Sequence, residues 1–221
     1  MTSHARTPVA LVIFDCDGVL IDSEPIANRV LAEQLQAIGL AFTPREVMAE
    51  FVGLTRDGCL ELAARRLGRP LPEGFAARWD EALFAALAAE VRAVDGVAEL
   101  LQRLRVPWCV ASNGTPHRMR MSLEAAGLLP LVEGRLFTAS EVPRPKPAPD
   151  LFLHAAARMG AQPARCAVIE DTPTGVRAGV AAGMRVLAYA AAPHAQREAL
   201  ADEGAELFHA MAEVPALLGI A

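Results

Sequence analysis

Apolar residues gather along this chain into short runs that end in polar pairs. The runs at 10–14, 108–111, 136–139, 166–169 and 186–189 have the length and the Val, Ile, Leu and Phe content of strands. Between most of them the apolar spacing becomes helical, at 97–104, 116–126, 149–159 and 174–182. Alternating strands and helices predict an α/β fold: a Rossmann-like three-layer core with a mostly parallel sheet and right-handed crossovers.

One stretch breaks the alternation. From Pro25 to about Val91 no strand pattern occurs, and helical periodicity runs through 26–38, 44–50, 56–67 and 75–91. Thr43-Pro44-Arg45-Glu46 reads as a helix start with proline in the first turn. An insertion of this size between the first two strands is too long for an ordinary crossover. It predicts a helical cap domain over 24–91, with the core domain made of 1–23 and 92–221. The alternative is a few extra helices packed on the sheet without motion of their own. Gly175, Gly179 and Gly183 recur at every fourth position; arginines interrupt that stretch, so it reads as close helix-to-sheet packing rather than a membrane motif.

Composition narrows the class. With 53% hydrophobic residues and a formal net charge of −5, the chain is neither disordered nor marked by the basic footprint of a nucleic-acid binder. No apolar run approaches the roughly 20 residues that span a bilayer, and no signal peptide is recognisable at the start. Cys16, Cys59, Cys109 and Cys166 have no Cys-x-x-Cys spacing and read as reduced thiols, so a cytoplasmic location is expected. Monomer or weak homodimer is the expected state. Of 21 basic residues only Lys146 is lysine. A compact ammonium is not interchangeable with a guanidinium, so that place invites a functional reading.

Candidate chemistry lies at the strand ends. The first run empties into Asp15-Cys16-Asp17-Gly18. If the strand continues, Asp15 and Asp17 face one way, and Gly18 permits a tight turn. The second ends in Ser112-Asn113-Gly114, where a hydroxyl and turn N–H groups could hold an anion. Lys146 sits in a proline-stiffened loop, Pro143 to Pro149. The fourth run ends in Glu170-Asp171, and hard cations such as Mg²⁺ favour oxygen ligands of this kind. Each segment alone is also an ordinary turn or helix cap. Four such endings together suit a carboxylate nucleophile, an acid/base, phosphate donors and a metal site.

This set, in this order, resembles the haloacid dehalogenase-like superfamily of phosphotransferases. Asp15-Cys16-Asp17-Gly18-Val19-Leu20 is similar to its first motif, Ser112 to its second, Lys146 to its third and Glu170-Asp171 to its fourth. The cap and Asp22-Ser23-Glu24 resemble the β-phosphoglucomutase/phosphoglycolate-phosphatase branch. Val110 to Gly114 and His117-x-Met119 are similar to bacterial 6-phosphogluconate phosphatases. The resemblance implies a phosphatase acting on a small phosphorylated sugar or sugar acid, with 6-phosphogluconate the best candidate. Asp15 would be the nucleophile and Asp17 the general acid/base. Ser112, the Asn113 N–H and Lys146 would hold the phosphoryl group. Mg²⁺ would be held by Asp15, the Asp17 carbonyl, Asp171 and Glu170, the last directly or through water. The cap would close over the site, and Gly53-Leu54-Thr55-Arg56 is similar to a cap loop whose arginine (here Arg56) contacts substrate; Arg78 is a second candidate.

Three rivals stand beside this reading. A sugar-phosphate mutase shares the motifs, but the mutases have a histidine where this chain has Ala27. A phosphonate hydrolase would resemble it too, but that chemistry uses a cap lysine and this cap has none. A non-catalytic phosphoacceptor or sugar-phosphate sensor would use Asp15, Mg²⁺, Ser112 and Lys146, yet needs neither a cap nor Asp17. The five histidines show no ligand spacing; His117, close to Ser112 in sequence, is the one with a route to substrate.

Overall fold

The computed structural model describes residues 8–51, 54–192 and 195–220. Among them the strands are β1 (Leu11–Phe14), β2 (Trp108–Ser112), β3 (Leu136–Thr138), β4 (Cys166–Glu170), β5 (Arg185–Tyr189) and β6 (Glu206–Phe208). The helices are α1 (Glu24–Ala37), α2 (Pro44–Phe51), α3 (Arg56–Leu67), α4 (Phe75–Glu90), α5 (Val97–Arg103), α6 (Pro116–Ala125), α7 (Leu129–Val132), α8 (Asp150–Arg158), α9 (Pro173–Ala181), α10 (Arg197–Asp202) and α11 (Val214–Leu218). The chain divides into two compact units, Asp22–Arg92 and the remainder.

The larger unit is built on one parallel sheet in the order β3-β2-β1-β4-β5-β6. Its central strands are buried on both faces, which is why they read as unbroken apolar runs instead of alternating ones. On one face Leu11, Ile13, Cys109, Ala111, Cys166 and Val168 join Leu151 and Phe152 of α8 and Val176 of α9 in a single core. On the other, Val12, Phe14, Val110 and Ile169 are fully buried, and the rings of Phe14 and Trp108 meet edge to face at 6.3 Å. Both sheet faces are thus covered, as an α/β three-layer core requires.

Strand order places the chemistry. Register pairs Phe14 with Val110 on one side and with Ile169 on the other, so β2 and β4 run on to Ser112 and Glu170 just past the end of β1. The chain runs outward from β1 through β2 to β3, then returns to build β4 against the opposite side of β1. Such a reversal opens a crevice beyond the carboxyl ends of the strands, where ligands of these folds bind. Asp15, Ser112 and Glu170 stand at this edge, and the Asp15 N–H donates to Ile169 O at 2.8 Å.

The smaller unit is helical. α1 packs against α2 and α4; Ile26, Val30, Leu31 and Leu35 of α1 are buried, as are Val47 and Phe51 of α2 and Trp79 and Leu87 of α4. The expected helix start at Thr43 is present as a reciprocal cap: Thr43 N–H donates to Glu46 Oε2 at 2.8 Å, and Glu46 N–H to Thr43 Oγ1 at 3.2 Å. Among the described residues no helix is long and apolar enough to cross a membrane.

The strand expected at 186–189 begins one residue earlier, and that expected at 136–139 gives way to a 3₁₀ turn at Ala139. Sequence reading missed β6 altogether. It is three residues long, and Glu206 binds Arg185 of β5 at 2.8 Å, so it has neither the length nor the apolar run of its neighbours.

Candidate active site

A buried ammonium forms the centre. Lys146 Nζ donates to Asp15 Oδ1 at 2.6 Å and to Glu170 Oε1 at 2.8 Å. It also lies 4.5 Å from the ring centroid of Phe152, a favourable place for a cation. The side chains of Lys146, Asp15 and Glu170 are only 4, 11 and 1% exposed, so these charges meet in a medium where they interact strongly. Burial depresses the Lys146 ammonium, but Asp15 and Glu170 outweigh it and hold the group well above its ordinary value. Asp15 goes the other way: burial pushes its carboxyl up to about 7, Lys146 opposes the rise and Glu170 adds to it. One ammonium serves two carboxylates, and at Asp15 burial still outweighs it.

The lysine loop is held by β2's own extension. Asn113 Nδ2 donates to Lys146 O, and Lys146 N–H donates to Asn113 Oδ1, both at 3.1 Å. Asn113, expected to contribute its backbone N–H, therefore has a second task for its side chain. Ser112 is buried at the end of β2, where its Oγ accepts from Gly114 N–H at 3.0 Å.

Glu170 is the most committed acid. Its Oε2 accepts from Asp171 N–H at 2.9 Å, Thr172 N–H at 3.1 Å and Thr172 Oγ1 at 3.0 Å, while its Oε1 holds Lys146. A Cβ built on Gly175, in the first turn of α9, would fall 1.7 Å from Oε1. Glycine there is the condition for Glu170 to lie where it does. Gly18 does the same for Asp171: its φ is +76°, and a Cβ would fall 1.9 Å from Asp171 Oδ2.

Asp15, Glu170 and Asp171 each offer a carboxylate oxygen, all within 4.8 Å of one another. Three carboxylates with one ammonium among them leave a shortage of positive charge. The donor set, all oxygen, fits a hard divalent cation. Since Glu170 spends both oxygens on Lys146 and the β4 turn, Asp15 and Asp171 are the better placed to hold such an ion.

The structure brings Asp15, Asp17, Ser112, Asn113, Lys146, Glu170 and Asp171 to one sheet edge. It also brings a residue that sequence reading passed over: Arg118 Nη2 donates to Asp17 Oδ1 at 2.9 Å. Arg118 is one arginine among many, and nothing in its spacing distinguishes it; only the start of α6, fixed by Thr115 and Pro116, aims it at Asp17. Neighbouring His117 is exposed on the same turn. Arg56 lies in the helical unit, bound to Asp80 through Nε at 3.0 Å and Nη2 at 2.6 Å. Gly53 of the expected substrate loop lies outside the described residues, and Arg78 Nη1 donates to Glu73 O at 3.0 Å.

Compared with known proteins, the chain matches the haloacid dehalogenase-like hydrolases over residues 9–183, and it belongs to that family. It is 33% identical to the 6-phosphogluconate phosphatase of Escherichia coli over 187 residues, 84% of this chain and 85% of that one. Among solved structures, a haloacid dehalogenase-like protein of Agrobacterium tumefaciens matches with a TM-score of 0.88 at 35% identity, over 96% of this chain and 98% of the other. A hydrolase of this family from Deinococcus radiodurans, solved with bound phosphate and sodium, matches with a TM-score of 0.83 at 36% identity, over 96% and 97% of the two chains.

Proposed function

We propose that this protein is a Mg²⁺-dependent phosphatase of small phosphorylated sugars or sugar acids, with 6-phosphogluconate the first substrate to test. The observation that carries this reading is the buried contact of Lys146 with Asp15 and Glu170 at an edge shared with Ser112 and Asp17. The similarity to the Escherichia coli enzyme supports the choice of substrate. We keep substrate selection with the helical unit, and Arg56 as its candidate contact. The free, buried state of all four cysteines suits a cytoplasmic enzyme.

In this mechanism a carboxylate oxygen of Asp15 attacks phosphorus and the bond from phosphorus to the leaving oxygen breaks. That oxygen takes a proton from Asp17. Asp17, now ionised, takes a proton from water as the water attacks the aspartyl-phosphate; inorganic phosphate leaves and the Asp15 carboxylate is restored. Splitting one displacement into two is nucleophilic catalysis. Ser112 Oγ, the Asn113 N–H and Lys146 Nζ hold the phosphoryl oxygens, and charge stabilisation of this kind carries most of phosphoryl transfer. Mg²⁺, held by Asp15, Asp171 and the Asp17 carbonyl, would supply the positive charge that lowers Asp15 into its ionised form and neutralises phosphate.

The test is phosphate release from a panel of sugar and sugar-acid phosphates, with and without Mg²⁺. Release should need Mg²⁺ and should fall by more than about 10³-fold in Asp15→Asn, the scale of losing a nucleophile. Conversion of β-glucose 1-phosphate to glucose 6-phosphate without phosphate release would move the protein to the mutases. A stable phosphoenzyme with no turnover would make it a sensor.

A further inference from the structure

Asp17 acts twice in the proposed reaction, yet it stands on a turn beyond the end of β1, where neither strand nor helix fixes its side chain. Arg118 Nη2 meets Asp17 Oδ1 at 2.9 Å, with the two side chains 28 and 32% exposed. The other carboxylate oxygen lies toward β2: a Cβ built on Gly114 would be 3.9 Å from Asp17 Oδ2 and 3.3 Å from Ser112 Oγ. One oxygen is thus fastened, and the other is turned toward the side that carries the phosphate donors.

Arg118 has a fixed base. It occupies the first turn of α6, where its own N–H donates to the Thr115 cap at 3.3 Å. Its guanidinium is not placed so as to satisfy all its donors, because Nε is buried without a hydrogen bond. A buried unsatisfied donor is costly, and a solvent-facing ion pair would avoid that cost. In the larger unit Arg103–Glu99 and Arg120–Glu133 do face solvent, whereas Arg185–Glu206 is partly covered, as Arg118–Asp17 is.

We propose that Arg118 is a positioning residue that holds the Asp17 carboxyl in line with the leaving oxygen of the substrate. The inference rests on the phosphatase reading. Its signature is dependence on the leaving group. A phosphate ester of a poorly acidic alcohol needs a proton from Asp17 as its bond breaks; p-nitrophenyl phosphate needs little. Misaligning Asp17 should therefore penalise alkyl phosphates most.

The experiment measures kcat/KM for p-nitrophenyl, phenyl and alkyl phosphates with the wild type, Arg118→Gln and Arg118→Lys, in saturating Mg²⁺. In Arg118→Gln the slope of log kcat/KM against leaving-group pKa should steepen, with an added loss of about 10- to 100-fold at the alkyl end, part of the 10²–10⁴-fold typical of acid/base help. Arg118→Lys, which keeps the charge, should recover part of the slope. Because the slope is independent of the folded fraction, a poorly folding variant still reports. A slope equal to that of the wild type, whether or not all rates fall together, overturns the proposal. If wild-type release is not abolished by Asp15→Asn, the phosphatase reading itself fails and takes this inference with it.

Discussion

Lys146 is closely held at the sheet edge: two carboxylates, an aromatic face and a two-bond clamp from Asn113 surround it. Removing the charge leaves two acids facing each other in the interior, and uncompensated buried charge is far more damaging than a lost surface pair. Lys146→Met should lower stability by about 3–5 kcal/mol in urea titrations and abolish phosphate release. Lys146→Arg should not restore activity, because a planar guanidinium does not fit the space of an ammonium. A stability loss below about 1 kcal/mol would mean that Asp15 and Glu170 do not depend on this cation. At this scale the sequence was half legible. A lone lysine among arginines announces itself, and Asp15 and Asp17 are marked by their motif. Arg118 and the side-chain role of Asn113 were not legible, because each depends on where a distant loop arrives.

Among elements, the strands were readable because burial on both faces removes polar positions from them. The short β6 was not, since it holds Arg185 through an acid instead of presenting an apolar run. The recurring glycines of α9 now separate into distinct tasks. Gly175 makes room for Glu170, whereas Gly179 lets the helix approach β4 and β5: a Cβ there would stand 2.7 Å from Val186 Cγ2 and 3.5 Å from Val168. Gly179→Leu should overpack this contact and cost about 1–3 kcal/mol, lowering the thermal midpoint. A variant that melts with the wild type would show that α9 can drift outward freely.

For the molecule as a whole, the three acids at the edge and the Mg²⁺ proposed for them should make stability depend on pH and on metal together. Burial pushes the Asp15 carboxyl up from 3.8 to about 7. Between those values the folded chain keeps a proton that the unfolded chain has released, so this group's contribution to stability declines as pH rises through that window. A cation that binds the ionised form offsets the decline. Mg²⁺ should therefore raise the thermal midpoint more at pH 8 than at pH 5, and Asp15→Asn should remove most of that difference. Equal shifts at both pH values would disconnect the metal from Asp15. The balance of charge over the whole surface, −5 by sequence, foretold none of this, because net charge says nothing of which acids share a pocket.

The exchange of two hydrogen bonds between the Asn113 amide and the Lys146 main chain has a consequence for how this molecule can vary. The amide copies what a neighbouring strand would do, so the lysine takes its position from the end of β2 as well as from the length of chain that leads to it. The residues between β3 and Lys146 thus share with β2 the task of setting the height of the ammonium. A single change at Asn113, more than thirty residues away in sequence, would shift the charge. The loop is spelled locally, but part of its address is written on another strand.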